Sequence, residues 1–276
     1  MLKSTNEETS PVLSDQFGSL RLLTLNRPAK LNAFTPEMLG ALESELDDAL
    51  GDEGTRVIAI TGSGTKAFAA GNDIERLVQL DGVSAYRDMV AGQRALLRLH
   101  ESAKPTIAMV NGFALGGGFE LALACDFVLA SSSASFGFPE ITLNTLPGWG
   151  GTQFAVAKLG HACAKRFILS GRRFSADECA PFGFIHEVVP PSSLLEAVRA
   201  LAGTLAAYDP FALEMAKRAV NRASEMPLST GLDFEAAQYA VNFNSEGARA
   251  GLREFIARRL DRRRSAPASS TVPVSE

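Results

Sequence analysis

With 276 residues, 46% of them hydrophobic and 21% charged, the chain has the make-up of a soluble globular protein with enough core for one large domain or two small ones. Its 27 Lys and Arg against 31 Asp and Glu leave a net charge of -4, which gives no electrostatic footprint for nucleic acid. Three scattered cysteines and three isolated histidines, with no H-E-x-x-H or C-x-x-C, argue against a disulfide framework and a protein-held metal.

Residues 1–16 are polar and read as a flexible lead-in. Ser19 to Asn26 alternates apolar with other residues, which predicts a strand that Arg27 and Pro28 end. Thr35-Pro36-Glu37 reads as an N-cap followed by proline at the first helical position, and Met38, Leu39, Leu42, Leu46 and Leu50 then share one helix face. Arg56–Thr61 predicts a buried strand, Val83–Glu101 a second helix, and Thr106–Val110 and Cys125–Ala130 two more strands. That alternation predicts α/β units with parallel pairing. From about Ser192 the pattern becomes helical through Ser192–Ala206, Pro210–Ser224, Leu228–Val241 and Glu246–Arg264. The expected division is an α/β core over 17–195, a helical region over 196–264 and a low-complexity, disordered tail over 265–276. No apolar stretch approaches the roughly 18 residues of a membrane span. The acid-bearing N-terminus lacks the apolar core of a targeting signal, so a reducing cytoplasm is the expected setting.

Most of the chemistry is concentrated in KPTIAMVNGFALGGGFELALACDF. A strand runs into Asn111-Gly112, and Gly116-Gly117-Gly118 opens an apolar helix. Glycines let a backbone approach a ligand closely, and the unpaired N–H groups of a helix start favour negative charge. Tight helix–strand packing explains the same glycines. Glu120 follows them in the first turn with Leu121, Ala122, Leu123 and Ala124 behind it. A carboxylate there is costly to bury unless paired or protonated, so it is either a cap or salt bridge or a working group. Glu140 repeats the oddity in FGFPEITLNTLPGWGG. Two carboxyls in apolar settings can divide acid and base roles, because burial raises their pKa toward neutrality. Earlier in the chain, AFAAGNDI carries the turn dipeptide Gly71-Asn72, which is a plain loop or the source of a second backbone N–H.

Together these segments resemble the crotonase superfamily, which includes enoyl-coenzyme A hydratases and isomerases. The matching stretches are Asn26-Arg27-Pro28 with Leu31-Asn32-Ala33, then AFAAGNDI, KPTIAMVNGFALGGGFELALACD, FGFPEITLNTLPGWGGTQ and LSGRRFSADECAPFGFIHEVV, followed by a helical tail. The resemblance extends from about Gly18 to Arg264 and implies an α/β fold, a spiral of ββα units with a C-terminal helical oligomerisation region. It implies an oxyanion hole for a thioester oxygen made by the N–H groups of Asn72 and Gly117, and two catalytic glutamates, Glu120 activating water and Glu140 protonating the α-carbon. Gly148 matches a position whose N–H helps hold the water. Lys30, Leu31, Ala70, Asp73, Ile74 and Trp149 match substrate-binding positions, and the basic end of the last helix, Arg258-Arg259 and Arg262-Arg263-Arg264, matches a tail that packs over the ligand or is simply a solvated face. No cofactor is implied, since coenzyme A belongs to the substrate, and relatives assemble as homotrimers or dimers of trimers.

Asn72 stands where relatives often have Ala, Trp149 where a small residue is common, and Phe154 where Arg is frequent; these leave the acyl preference open. The implied reaction is hydration of a 2-enoyl thioester, with double-bond isomerisation or another lyase or hydrolase activity on coenzyme A thioesters as alternatives. One relative of the fold binds AU-rich RNA and is associated with a lysine-rich helix; the corresponding stretch here, EMLGALESELDDALGD, has no Lys or Arg.

Overall fold

The computed structural model describes residues 10–265. In chain order the elements are β1 (Val12–Phe17), β2 (Leu20–Leu25), α1 (Pro36–Gly51), β3 (Val57–Gly62), β4 (Ala67–Ala69), α2 (Ile74–Leu77), α3 (Gly82–His100), β5 (Thr106–Val110), β6 (Phe113–Leu115) and α4 (Gly117–Ala124). They continue as β7 (Phe127–Ser131), β8 (Ser135–Gly137), α5 (Gly151–Ser170), β9 (Phe174–Ser175), α6 (Ala176–Cys179), β10 (Glu187–Val189), α7 (Leu194–Ala206), α8 (Pro210–Arg222), α9 (Leu228–Phe243) and α10 (Glu246–Ser265).

The strands form a six-stranded sheet, β1-β2-β3-β5-β7-β10, and a four-stranded sheet, β4-β6-β8-β9. Each of the pairs β3–β4, β5–β6 and β7–β8 takes the chain from the first sheet to the second, which gives a spiral of ββα turns. Glycines sit at the corners of the first two turns because nothing larger fits. A Cβ on Gly62 would stand 2.2 Å from the Phe68 carbonyl oxygen, and one on Gly112 would stand 2.3 Å from that of Lys66. Both faces of the larger sheet are buried, as expected for mainly parallel pairing. Leu23, Leu25, Ile58, Ile60, Ala108 and Val110 face the main core with α1, α3, α4 and α5. Leu20, Leu22, Val57, Ala59, Ile107 and Leu129 face the other way, against Leu194, Val198, Ala202 and Leu205 of α7.

Thr35 caps α1 as its sequence predicts, its Oγ1 accepting the Met38 N–H at 3.3 Å. The lead-in needs correction. Residues 1–9 lie outside the described residues, but Val12–Phe17 forms β1, antiparallel to β2. Only Val12 of that edge strand is buried, so its Ser14-Asp15-Gln16 looks like loop in the sequence. Helix α5 has no counterpart in the predicted elements, because Gly160 interrupts it at φ 72°, ψ 165°. Helix α7 covers the sheet as one of its layers, and α8, α9 and α10 pack on one another beyond it. Of the expected tail over 265–276, Ser265 ends α10 and the rest lies outside the described residues.

Candidate active site

Three parallel strands of the smaller sheet end side by side. Ala69 of β4 pairs with Ala114 of β6, and Leu115 of β6 pairs with Gly137 of β8. Their carboxyl ends deliver Ala70-Gly71-Asn72, Gly116-Gly117 and Phe138-Pro139-Glu140 to one place, where open parallel sheets commonly bind ligands. At Gly71 the backbone adopts φ +91°, and a Cβ there would stand 3.1 Å from the Leu115 oxygen and 3.3 Å from the Gly117 nitrogen. Gly116 adopts φ +51°, ψ −123°, a conformation that residues with side chains avoid.

Two backbone N–H groups lie at this junction without a partner in their own element. Asn72 forms a parallel bridge with Phe34 through its neighbours: Phe34 donates to the Gly71 oxygen at 2.8 Å and Asp73 to the Phe34 oxygen at 3.0 Å. The Asn72 N–H therefore points away from Phe34. Gly117 is the first residue of α4, so its N–H lacks an intrahelical acceptor and lies at the positive end of the helix.

Glu120 is only 1% exposed. Its Oε1 accepts the backbone N–H groups of Trp149 and Gly151, each at 2.7 Å. Gly151 opens α5, so the carboxyl of one helix caps the next. Glu140 lies in the 3-10 turn Pro139–Leu143; its Oε1 is 2.6 Å from where a Cβ on Gly116 would stand, and its Oε2 is buried without a partner. Burial pushes the Glu120 carboxyl up to about 8, opposed by the two N–H donors and reinforced by the charge of Glu140. Burial likewise pushes Glu140 up to about 7. Two interacting carboxyls titrate as a pair, in macroscopic steps.

Between the ordinary value of 4.5 and about 8, the folded chain holds protons that the unfolded chain has released. Stability therefore falls as pH rises through that window and is fullest below it. Melting curves should show Tm dropping from about pH 5 to about pH 8.5, and Glu120→Gln should flatten the drop, gaining about 2–4 °C at the alkaline end for each kcal/mol relieved. A wild-type Tm that rises across this range contradicts the burial argument.

Trp149 is 2% exposed. Its ring packs on Phe34 with centroids 5.0 Å apart and lies 3.5 Å from where a Cβ on Gly117 would stand. Its other side rests on α3, where a Cβ on Gly92 would come within 2.2 Å of the indole. The neighbouring Gly148 is held by Gln93, whose Nε2 donates to the Gly148 carbonyl at 2.8 Å. Sequence reasoning names Trp149 for its side chain and misses three participants: the backbone N–H of Gly151, Phe34 and Gly92. A turn Pro147-Gly148-Trp149-Gly150-Gly151 immediately before a helix is the signal for the first of these. Phe154 packs against His100, and Phe119, Phe136 and Phe138 are fully buried in an aromatic core.

The other predicted binding residues lie along one rim. The Ala70 N–H donates to the Leu31 carbonyl at 3.0 Å, Asp73 pairs with Arg27 at 3.2 Å, and Lys30 pairs with Glu75 at 3.0 Å. Ile74 is 59% exposed beside them. Asn32 holds the segment in place, its buried amide donating to the Ser63 and Ala67 carbonyls at 3.1 and 2.9 Å. Arg258 and Arg259 lie on α10, Arg258 paired with Glu254; of Arg262, Arg263 and Arg264, the side chains fall outside the described residues. Two surface cavities of about 310 and 440 Å³, one lined by Leu50, Thr55, Lys104 and Pro210 and the other by Leu50, Arg94, Leu97 and Arg98, share none of these residues. Among the described residues there is no group of three His, Cys, Asp or Glu placed to hold a metal, and no helix long and apolar enough to cross a membrane.

Comparison with known proteins gives consistent results. Residues 16–262 match the enoyl-CoA hydratase/isomerase family. The chain is 34% identical over 252 residues to a short-chain-enoyl-CoA hydratase of Clostridium acetobutylicum, an alignment that covers 91% of this chain and 97% of that protein. It is 38% identical over 238 residues to the 2,3-dehydroadipyl-CoA hydratase of Escherichia coli, covering 86% of this chain and 92% of the other. A crystal structure of enoyl-CoA hydratase from Bacillus anthracis superposes with a TM-score of 0.86 at 33% identity, over 90% of this chain and 96% of the other.

Proposed function

The chain belongs to the enoyl-CoA hydratase/isomerase family, and from that premise we propose that it hydrates 2-enoyl-coenzyme A thioesters to 3-hydroxyacyl thioesters with Glu120 and Glu140. The observation that carries this reading is the gathering of the buried Glu120 carboxyl, the half-buried Glu140 carboxyl and the backbone of Asn72 and Gly117 at the ends of β4, β6 and β8. The N–H groups accept the thioester oxygen and stabilise the enolate charge that develops on it. Glu120 takes a proton from water as its oxygen bonds to the β-carbon. Glu140 gives its proton to the α-carbon, and solvent exchange restores both carboxyls.

Burial, even with its two N–H donors opposing it, holds the proton on Glu120 up to about 8, against about 7 for Glu140. Two short N–H bonds and the positive end of α5 favour charge at Glu120, while Glu140 Oε2 has no donor at all. The two carboxyls titrate as a coupled pair, and the catalytic carboxylate is assigned to the one with donors aimed at it, so Glu120 is the base and Glu140 the acid. Isomerisation needs only one such carboxyl; retention of both favours hydration. Lys30, Leu31, Ala70, Asp73 and Ile74 form the rim that receives the coenzyme A part, and Gly148 lies beside the water. Coenzyme A arrives as part of the substrate, and the reaction draws on no other cofactor. Exposed apolar side chains on the last two helices, including Leu232, Tyr239, Phe255 and Ile256, suit a homotrimer or dimer of trimers. The three free thiols suit the cytoplasm.

The direct test is a panel of crotonyl, longer-chain and aromatic enoyl thioesters, followed by loss of absorbance of the conjugated double bond. Water-dependent loss on at least one substrate is expected; movement of a double bond without hydration would make the chain an isomerase. The same panel tests the acyl wall. Trp149→Ala should shift kcat/KM toward bulky acyl groups by about 10–200-fold relative to short ones. Asn72→Ala should keep hydration of simple enoyl thioesters, since the working group is the backbone N–H. Unchanged ratios in Trp149→Ala would confine the indole to a core role.

A further inference from the structure

Helix α4 is fastened at both ends to the helix beside it. At its first turn, Glu120 receives the N–H of Gly151, which opens α5. At its far end, the Nζ of Lys158 donates to the carbonyl of Cys125, the residue that caps α4. The break at Gly160 makes residues 151–159 a short straight rod, with Gly151 at one end and Lys158 near the other. The two segments run side by side in the same direction. The His100 ring, at the end of α3, lies near the preceding carbonyl, that of Ala124. The Cys125 carbonyl at the end of α4 thus has a side-chain donor, as a buried helix terminus requires.

The groups that face Lys158 are the Cys125 thiol, Asp126, Lys217 and His100. Asp126 is already engaged, its Oδ2 accepting from the Thr106 N–H at 2.8 Å, the Thr106 hydroxyl at 3.0 Å and Lys217 at 2.8 Å. Lys158 is thereby left to the backbone of α4. Desolvating an ammonium for one carbonyl bond is a poor way to gain stability. Fixing one helix along the axis of another is a use that explains it.

We propose that Lys158 is a positioning residue of the hydration site: its bond to the Cys125 carbonyl sets the register of α5 along α4, and so brings the N–H groups of Trp149 and Gly151 onto the Glu120 carboxyl. The inference rests on the reading of Glu120 as the base. A slide of about 1 Å, less than the rise of one helical residue, is enough to stretch and misalign those two bonds. Misplacement on that scale commonly costs about a hundredfold in rate.

Lys158→Met keeps the apolar stem and removes the donor, whereas Lys158→Arg keeps a cationic donor. Trp149 is the single tryptophan of the chain and its backbone N–H bonds the Glu120 carboxyl, so its emission is the probe of that carboxyl that needs no turnover. Lys158→Met should fold with a cooperative melt and keep KM within about twofold, while kcat falls about 10–100-fold. The emission midpoint and the matching limb of the kcat profile should rise by about one pH unit, as a charge-assisted bond to the carboxylate weakens. Lys158→Arg should recover both. The inference is overturned if Lys158→Met leaves kcat and the emission midpoint unchanged. It is equally overturned if kcat falls only in step with lost folded protein and the midpoint stays in place. A wild-type chain that hydrates no enoyl thioester would instead refute the proposed function, and the emission midpoint would then decide the role of Lys158 alone.

Discussion

Glu120→Gln and Glu140→Gln should each lower kcat for hydration by about 10²–10⁴-fold, the usual loss of a general acid or base, while thioester binding and folding persist. The expectation of intact folding comes from the bonds themselves. The amide oxygen of glutamine at 120 still accepts the Trp149 and Gly151 N–H groups that now lie 2.7 Å from Glu120. Nothing bonded to Glu140 Oε2 is lost, because nothing is bonded to it. The loss therefore reports chemistry, equivalent to about 3–5.5 kcal/mol of barrier. The two variants should also differ. Glu140 is neutral in the working state, so the residual activity of Glu140→Gln should keep the acid limb set by Glu120 and lose the alkaline limb set by the Glu140 proton. Activity profiles against pH, with thioester affinity measured separately, decide the matter. Near-wild-type kcat in either variant would end the two-carboxyl assignment.

What the sequence discloses here follows physical strength. The alternating run of β2, the short apolar runs of β3 and β5 and the capped face of α1 are strong local signals, and the structure has them within a residue or two. Glu120 and Glu140 are legible because a carboxyl in an apolar run is a costly exception. β1 escapes because an edge strand with one buried side chain looks like loop, and α5 because a glycine breaks its period. Gly151 escapes for another reason. Its contribution is a backbone N–H whose direction depends on how α5 lies against α4, a relation between distant parts of the chain. Gly92 likewise has meaning only once Trp149 is laid upon it.

Gly117 is where a small substitution should have the other large effect. The three glycines of the triplet are glycine for different reasons. A Cβ on Gly118 would stand 2.1 Å from the Ala69 carbonyl oxygen, inside a close-packed crossing of α4 over β4. Gly116 needs its φ of +51°. Gly117 needs neither: a Cβ there meets Trp149, Gly71 and Phe34 at 3.5–3.7 Å, ordinary contact distances. The fold has room for alanine at 117, so any loss on that substitution reports on what approaches the Gly117 N–H. Gly117→Ala should melt close to wild type, and Gly117→Val should add methyl groups against Trp149 and Phe34 at a modest cost in Tm. Both should hinder the thioester oxygen, lowering kcat/KM by about 10²–10³-fold, the scale of a lost oxyanion donor. Gly118→Ala supplies the contrast, because its clash is with backbone and should destabilise the fold whether or not substrate is present. Full turnover by Gly117→Ala would mean that no ligand oxygen comes to this nitrogen, and the placement of the thioester at Asn72 and Gly117 would have to be abandoned.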